Sequence, residues 1–111
     1  MKIGFDARMI DHPGIGRYIK NLLLAMLSIA KDAEFLLYGE PEKLGDFKGI
    51  RIEQFKAPIY SWAELFNSPF TKESFDITHI PHFNAPFKNT HTLIVTIHDF
   101  IYLKFPRFST F

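Results

Sequence analysis

The sequence contains no cysteine, and its charges almost cancel. Without cysteine neither a disulfide nor a thiolate metal site can form. The 13 Lys and Arg residues against 12 Asp and Glu residues give a net charge of +1, so no broad field attracts nucleic acid or an anionic membrane. Apolar runs are short too: the densest, Leu22–Ala30, is interrupted by Ser28 and is far shorter than the ~20 residues that cross a bilayer. We therefore expect one globular domain that binds no nucleic acid.

The amino-terminal 30 residues predict a strand, a glycine-containing loop and an amphipathic helix. Lys2–Phe5 is a short apolar run, which is typical of a strand buried on both faces. From Ile15 to Ala30 the apolar residues recur every three or four positions, which places them on one helix face, and Leu24 is the one large apolar exception. A buried strand that leads into such a helix begins a right-handed βαβ unit.

The loop before this helix is a candidate phosphate site. Gly14 and Gly16 leave the backbone open to close approach, and Ile15 lies between them in the first helical turn. The free amides and the dipole of a helix amino terminus attract anions, and Arg17 adds a formal charge. The alternative is that the glycines only form a tight turn, because the third glycine of the dinucleotide-binding pattern is missing.

The rest of the chain continues the alternation of strands with helical or loop crossovers. Strands are predicted at Glu34–Tyr38, Ile50–Phe55 (near a sheet edge), Phe75–Ile80 and His91–Ile97, and a short helix at Ser61–Asn67. This order predicts an α/β fold with a Rossmann-like, doubly wound and mostly parallel sheet. Ligands of such sheets collect at the carboxyl ends of the strands, where the glycine loop, the His82 loop and the pair His98-Asp99 would meet.

Polar residues at strand ends are the other candidates for chemistry. His98 follows a predicted buried strand and could bind a phosphate or sugar oxygen or hold a proton, whereas Asp99 could cap the next segment. Both could equally be ordinary turn residues. His79 and His82 could ligate zinc, but Pro81 bends the chain between them and the spacing is not helical.

Two further sets of residues have a structural interpretation beside a functional one. Asp6 could hydrogen-bond the loop amides, and Arg8 could pair with Asp6 or with Asp11. Aromatic side chains could line a sugar or lipid site, although such residues are more often core material. That aromatic set is Tyr60, Trp62, Phe66, Phe70, Phe83 and Phe87.

Three segments, in this order, resemble the amino-terminal half-domain of family 4 (group 1) glycosyltransferases of the GT-B type. They are MKIGFDARMI followed by GIGRYIKNLL, then FDITHIPHFNAPF, then VTIHDFIYLKFP. The resemblance implies two Rossmann-like domains that face a cleft, with the acceptor held mainly by the amino-terminal one and the nucleotide-sugar by the other. Members of this family are typically retaining and need no metal or other cofactor.

By position, the resemblance assigns roles to particular residues. His98 would contact the transferred hexose or its phosphate and is the predicted catalytic residue. Gly14, Ile15, Gly16, Arg17 and Asp99 would lie at the donor phosphate and sugar. The loop His82, Phe83 and Asn84 would lie on the acceptor side.

The resemblance stops before a complete enzyme is reached. We expect residues 1–111 to be a single truncated acceptor-side domain without the donor domain, and inactive alone. The parent enzyme would move a hexose from a nucleotide-sugar to a glycan or lipid-linked acceptor in the cytoplasm. Peripheral attachment to the inner face of the membrane and homodimerisation through exposed apolar surface stay open, as does a second class of function, a non-catalytic flavodoxin-like binding or regulatory module.

Overall fold

The computed structural model describes most of the amino-terminal half of the chain and several segments after it. The described residues are 1–47, 49–56, 69–71, 74–82, 92–98 and 104. Within them lie the strands β1 (Lys2–Asp6), β2 (Glu34–Gly39), β3 (Arg51–Gln54), β4 (Ile77–Ile80) and β5 (Thr92–Val95), and the helix α1 (Ile15–Ile29). No helix among these residues combines the length and the apolar character that crossing a membrane requires.

The five strands form one parallel sheet in the order β3-β2-β1-β4-β5. The chain first moves outward from β1 to β2 and β3 and then returns to place β4 on the other side of β1. This is the order of the dinucleotide-binding fold, with its reversal between β1 and β4, and it differs from the flavodoxin-like order, in which β1 lies between β2 and β3. The prediction of a parallel α/β sheet of Rossmann-like type is therefore confirmed for the described strands.

Helix α1 covers one face of the sheet, called here the helix face. Ile19 and Leu23 of α1 are fully buried against Phe5 of β1 and Leu37 of β2, as the three-and-four spacing predicts. Leu24, the predicted exception, is 47% exposed. The helix ends at Ile29, one residue before the predicted Ala30, whose amide still donates to the Met26 carbonyl.

The opposite face carries an aromatic cluster, called here the aromatic face, which consists of Leu36, Tyr38, Phe55, Phe70 and Phe75. Gly4 makes room for it, because a Cβ at this position would lie 2.9 Å from the Phe75 ring. Of the aromatic residues proposed to line a sugar or lipid site, Phe70 is buried in this core, so its structural interpretation is the right one. The other five lie outside the described residues.

Three predicted strands are shorter in the structure than in the sequence pattern. The predicted Ile50–Phe55 begins at Arg51, because Gly49 has a φ of +80° and the Ile50 amide still closes a turn onto Phe47. The predicted Phe75–Ile80 begins at Ile77, since Phe75 is drawn into the aromatic face. The predicted His91–Ile97 is reduced to Thr92–Val95. The predicted helix Ser61–Asn67 lies outside the described residues.

Candidate functional site

The candidate site lies at the carboxyl edge of the sheet, beside the reversal between β1 and β4. Because all the strands are parallel, Asp6, His82 and His98, which end or follow β1, β4 and β5, reach the same edge. The amino terminus of α1 lies there too, because α1 follows β1. A crevice at such a reversal is where open α/β sheets bind their ligands.

The glycine loop is held closely against the chain that precedes it. Gly14, the residue before α1, has a φ of +79°, which favours glycine. A Cβ on Gly16 would lie 2.1 Å from the Ile10 carbonyl oxygen, so no larger residue fits without a shift of the backbone. The amides of Ile15 and Gly16 already donate to the Pro13 and His12 carbonyls, at 3.0 and 2.7 Å. The tight-turn interpretation therefore has a definite physical basis.

Two features of the loop remain compatible with an anion. The loop lies at the carboxyl edge of the sheet, and Arg17, in the first turn of α1, is exposed to solvent. The dipole of a 15-residue helix also places partial positive charge at this end. A phosphate would therefore meet the helix dipole and the Arg17 guanidinium, with at least two backbone amides already engaged by the loop.

His98 is fixed on two sides. Its Nε2 lies 2.8 Å from the Pro81 carbonyl oxygen, and because a carbonyl can only accept, Nε2 must carry the proton. Its ring packs edge to face against Tyr18 of α1, with 4.9 Å between centroids and an interplanar angle of 87°. His98 as a residue is exposed. The imidazole is thus held in one orientation, with Nδ1 left as an acceptor when neutral and as a donor when protonated.

A hydrogen-bonded chain continues from Tyr18 into the sheet. The Tyr18 hydroxyl lies 3.0 Å from Thr96 Oγ1, and the same oxygen lies 3.2 Å from His79 Nε2. His79 also packs on the Phe5 ring at 4.9 Å, and burial lowers the pKa of its imidazole. The chain therefore joins α1, the residue after β5 and β4 on the helix face, with His79 at its inner end.

On the aromatic face, a buried charged cluster links the ends of β1 and β4. Asp6 is 1% exposed and accepts hydrogen bonds from the Arg8 amide, from Arg8 Nε and Nη2, and from His82 Nε2 at 3.0 Å. Burial by itself raises the pKa of this carboxyl, but the hydrogen bonds from His82 and Arg8 outweigh it and lower the pKa to about 2. Asp6 is therefore a carboxylate at neutral pH.

The rest of the Arg8 side chain is also engaged. Its guanidinium carbon lies 3.9 Å from the centroid of the Phe55 ring, and the side chain is 5% exposed. Of the two predicted partners of Arg8, Asp6 is confirmed, whereas Asp11 pairs with Lys43 at 3.4 Å. The structural role predicted for Asp6 and Arg8 is thus correct, but sequence reasoning missed that His82 belongs to the same cluster.

The remaining predicted site residues are only partly described. His82, predicted on the acceptor side, is 2% exposed and hydrogen-bonded to Asp6. Phe83, Asn84 and Asp99 lie outside the described residues. His79 and His82 have partners on opposite faces of the sheet, and within the described segments no three His, Asp or Glu residues form a group that could hold a metal ion.

Comparisons of the chain with models of protein families, with curated proteins and with solved structures give no significant match.

Proposed function

We propose that this chain forms the acceptor-side part of a retaining glycosyltransferase of GT-B architecture. The parent enzyme transfers a hexose from a nucleotide-sugar to a glycan or lipid-linked acceptor. One observation carries the proposal: the first turn of α1 and His98, 80 or so residues apart in the chain, are in contact at the ligand-binding edge through Tyr18. These are the two segments to which the resemblance to GT-B glycosyltransferases assigns contacts with the donor.

The geometry suits the charge that develops in such a reaction. When a sugar leaves a nucleoside diphosphate, negative charge accumulates on the leaving phosphate, and fixed positive groups stabilise it. The α1 amino terminus and exposed Arg17 supply positive potential at this edge. His98 has Nδ1 available to a sugar hydroxyl or a phosphate oxygen, because Nε2 is committed to Pro81. Asp99, which directly follows His98 in the sequence, is also proposed to lie on the donor side, as the resemblance implies.

On the acceptor side, His82 acts indirectly in this proposal. Its imidazole is buried with Asp6, so it fixes the position of the chain just before Phe83 and Asn84. Those two residues are the proposed contacts with the acceptor. No metal or other cofactor is proposed, nor any nucleic-acid partner, and the parent enzyme is placed in the cytoplasm. Attachment at the inner membrane face and homodimerisation remain secondary proposals.

A dinucleotide-dependent oxidoreductase is less well supported, although the strand order would allow it. Such enzymes need an acidic residue at the end of the second strand to bind the ribose hydroxyls. Here Tyr38 is buried in the aromatic face, and Glu40, beyond the strand, pairs with Lys43 at 3.4 Å. The strand order also disfavours the non-catalytic module in its flavodoxin-like form. A binding module built on the observed strand order would share the same edge, and turnover would separate it from the enzyme.

The test uses the full-length protein that contains this chain. Transfer of labelled hexose from UDP- and GDP-sugars is measured for the unmodified protein and for His98→Ala. We expect His98→Ala to reduce kcat by ~10²-fold or more, because it removes a polar group positioned at the reacting sugar. Glu34→Gln, an exposed change at the amino end of β2, is the matched control and should retain full activity.

Unchanged turnover in His98→Ala would remove His98 from the mechanism. Tight binding of a nucleotide-sugar without any transfer or hydrolysis would favour the binding module instead. Failure to bind any nucleotide-sugar would contradict both the donor assignment of the glycine loop and the proposed enzyme class.

A further inference from the structure

Tyr18 makes two contacts that neither the strand order nor the glycine loop requires. It lies on α1 one turn after Gly14, its side chain is half-buried, and its hydroxyl and its ring have different partners. The hydroxyl meets Thr96 at 3.0 Å, and the ring meets the His98 imidazole at 4.9 Å between centroids. A tyrosine that served only to fill the core would need the ring alone.

Further hydrogen bonds hold Thr96, the partner of the Tyr18 hydroxyl, in place. Thr96 Oγ1 bridges Tyr18 and His79, and the Thr96 amide donates to the Ile80 carbonyl at 3.0 Å, which ties this residue to β4. His79 is buried against Phe5. A half-buried aromatic ring with a tethered hydroxyl has little freedom to turn, so the orientation of the Tyr18 ring is set by the sheet.

We propose that Tyr18 is a positioning residue for His98, and that Thr96 positions Tyr18. The edge-to-face contact fixes the plane of the imidazole, and the Nε2 hydrogen bond to the Pro81 carbonyl fixes its rotation within that plane. Together the two contacts aim Nδ1 in one direction. The catalytic consequence rests on the proposed function of His98, whereas the positioning itself does not.

The contact also connects the two halves of the proposed donor site. Arg17 and Tyr18 are adjacent on α1, so a displacement of the helix amino terminus moves the backbone of Arg17 and the ring that contacts His98 together. The first turn of α1 and His98 are thereby coupled. An enzyme that works mainly by positioning loses ~10²-fold in rate when a group is misplaced by about 1 Å.

The first experiment measures positioning without reference to activity. The imidazole carbon and nitrogen signals of His98 are recorded by NMR on the full-length protein with labelled histidine, and they are assigned by their loss in His98→Gln. Tyr18→Leu removes the ring and should move the His98 signals substantially. Tyr18→Phe keeps the ring and should move them less. Ile29→Ala, at the exposed far end of α1, should leave them unchanged.

The second measurement tests the role of Thr96. Thr96→Val keeps the size of the side chain but removes its hydroxyl, so it loses the contacts with both Tyr18 and His79 and should move the His98 signals at least as much as Tyr18→Phe does. The double variant Tyr18→Phe/Thr96→Val should be no worse than Thr96→Val alone, because the Tyr18 hydroxyl has already lost its partner in that variant. Additive changes in the His98 signals would overturn the proposed chain. Circular dichroism checks that each variant is folded. If Tyr18→Leu does not fold, the His98 signals of Tyr18→Phe and Thr96→Val still test the proposed chain.

Kinetics then separate the positioning role from the proposed function. We expect Tyr18→Leu to lower kcat by tenfold to ~10²-fold with a smaller change in KM, and Tyr18→Phe to recover most of the loss. His98 signals that do not respond to Tyr18→Leu would refute positioning, whatever the activity. Signals that respond in a protein without transferase activity would refute the proposed function alone.

Discussion

Gly16→Ala tests most directly whether the glycine loop is built for packing. Alanine would ordinarily be favoured over glycine in a helix by about 1 kcal/mol, so helix propensity alone predicts a gain in stability. The structure predicts the opposite, because the new Cβ would lie 2.1 Å from the Ile10 oxygen and 2.7 Å from the Ile10 carbon. These are backbone atoms, which cannot rotate aside as a side-chain end can.

The size of the effect follows from the displacement that is needed. Ordinary van der Waals contact begins at 3.4 Å, so α1 and the Ile10 turn must separate by about 1.3 Å. Overpacking of this kind costs about 1–3 kcal/mol. The same movement stretches the hydrogen bonds that the Ile15 and Gly16 amides make to the loop, each worth about 1 kcal/mol. After the gain in propensity is subtracted, Gly16→Ala should lower the free energy of unfolding by about 2–4 kcal/mol.

Urea unfolding followed by circular dichroism measures this change. Gly45→Ala is the control, because a Cβ there has nothing within 4 Å and the backbone needs no positive φ, so the free energy of unfolding should stay within about 0.5 kcal/mol. A Gly16→Ala variant as stable as the unmodified protein would refute the packing argument. If such a variant also lost affinity for nucleotide-sugars, the glycine would be required by the ligand instead.

Two further predictions concern the buried charged cluster. Asp6→Asn should lower the free energy of unfolding by about 3–5 kcal/mol, because it removes the carboxylate that pairs with the buried Arg8 charge. The control is Glu53→Gln, in an exposed pair with Arg51, which should change the free energy of unfolding by less than about 1 kcal/mol. Because the pKa of Asp6 falls from 3.8 to about 2 on folding, ionised Asp6 contributes about 2 kcal/mol of stability above pH 4, and this is lost as the pH falls from 4 towards 2. Urea midpoints measured between pH 6 and pH 2 should show that loss, and Asp6→Asn should show a smaller acid dependence; equal acid dependence in both proteins would contradict the assignment.

The helix and the central strands could be predicted because their local pattern agrees with their final environment. The apolar spacing of α1 matches the side chains that it buries, and Phe5 and Leu37 belong to short apolar runs that become central strands. Strand ends were less predictable. Phe75 continues the pattern of a strand, but its ring packs over Gly4 on the aromatic face. A local sequence pattern contains no information about that contact.

The location of the site could be predicted from the sequence, but its long-range hydrogen bonds could not. The meeting of the glycine loop and His98 at one edge follows from parallel strands, so it could be expected once the fold class was recognised. The pairing of Arg8 with Asp6 was also within reach, since the residues are two positions apart. The bond between His82 and Asp6 spans 76 positions, and the Tyr18–Thr96 bond spans 78. No spacing rule indicates either of them.

By itself the sequence determined the kind of several elements: the amphipathic helix α1, short buried strands, and polar residues where the strands stop. These depend on contacts between near neighbours and on periodicity, both of which can be read along the chain. Only the tertiary structure decided which polar groups share a partner. Asp6 became a buried carboxylate, and Tyr18 came to hold His98, because the chain reverses between β1 and β4 and brings distant residues within hydrogen-bond distance.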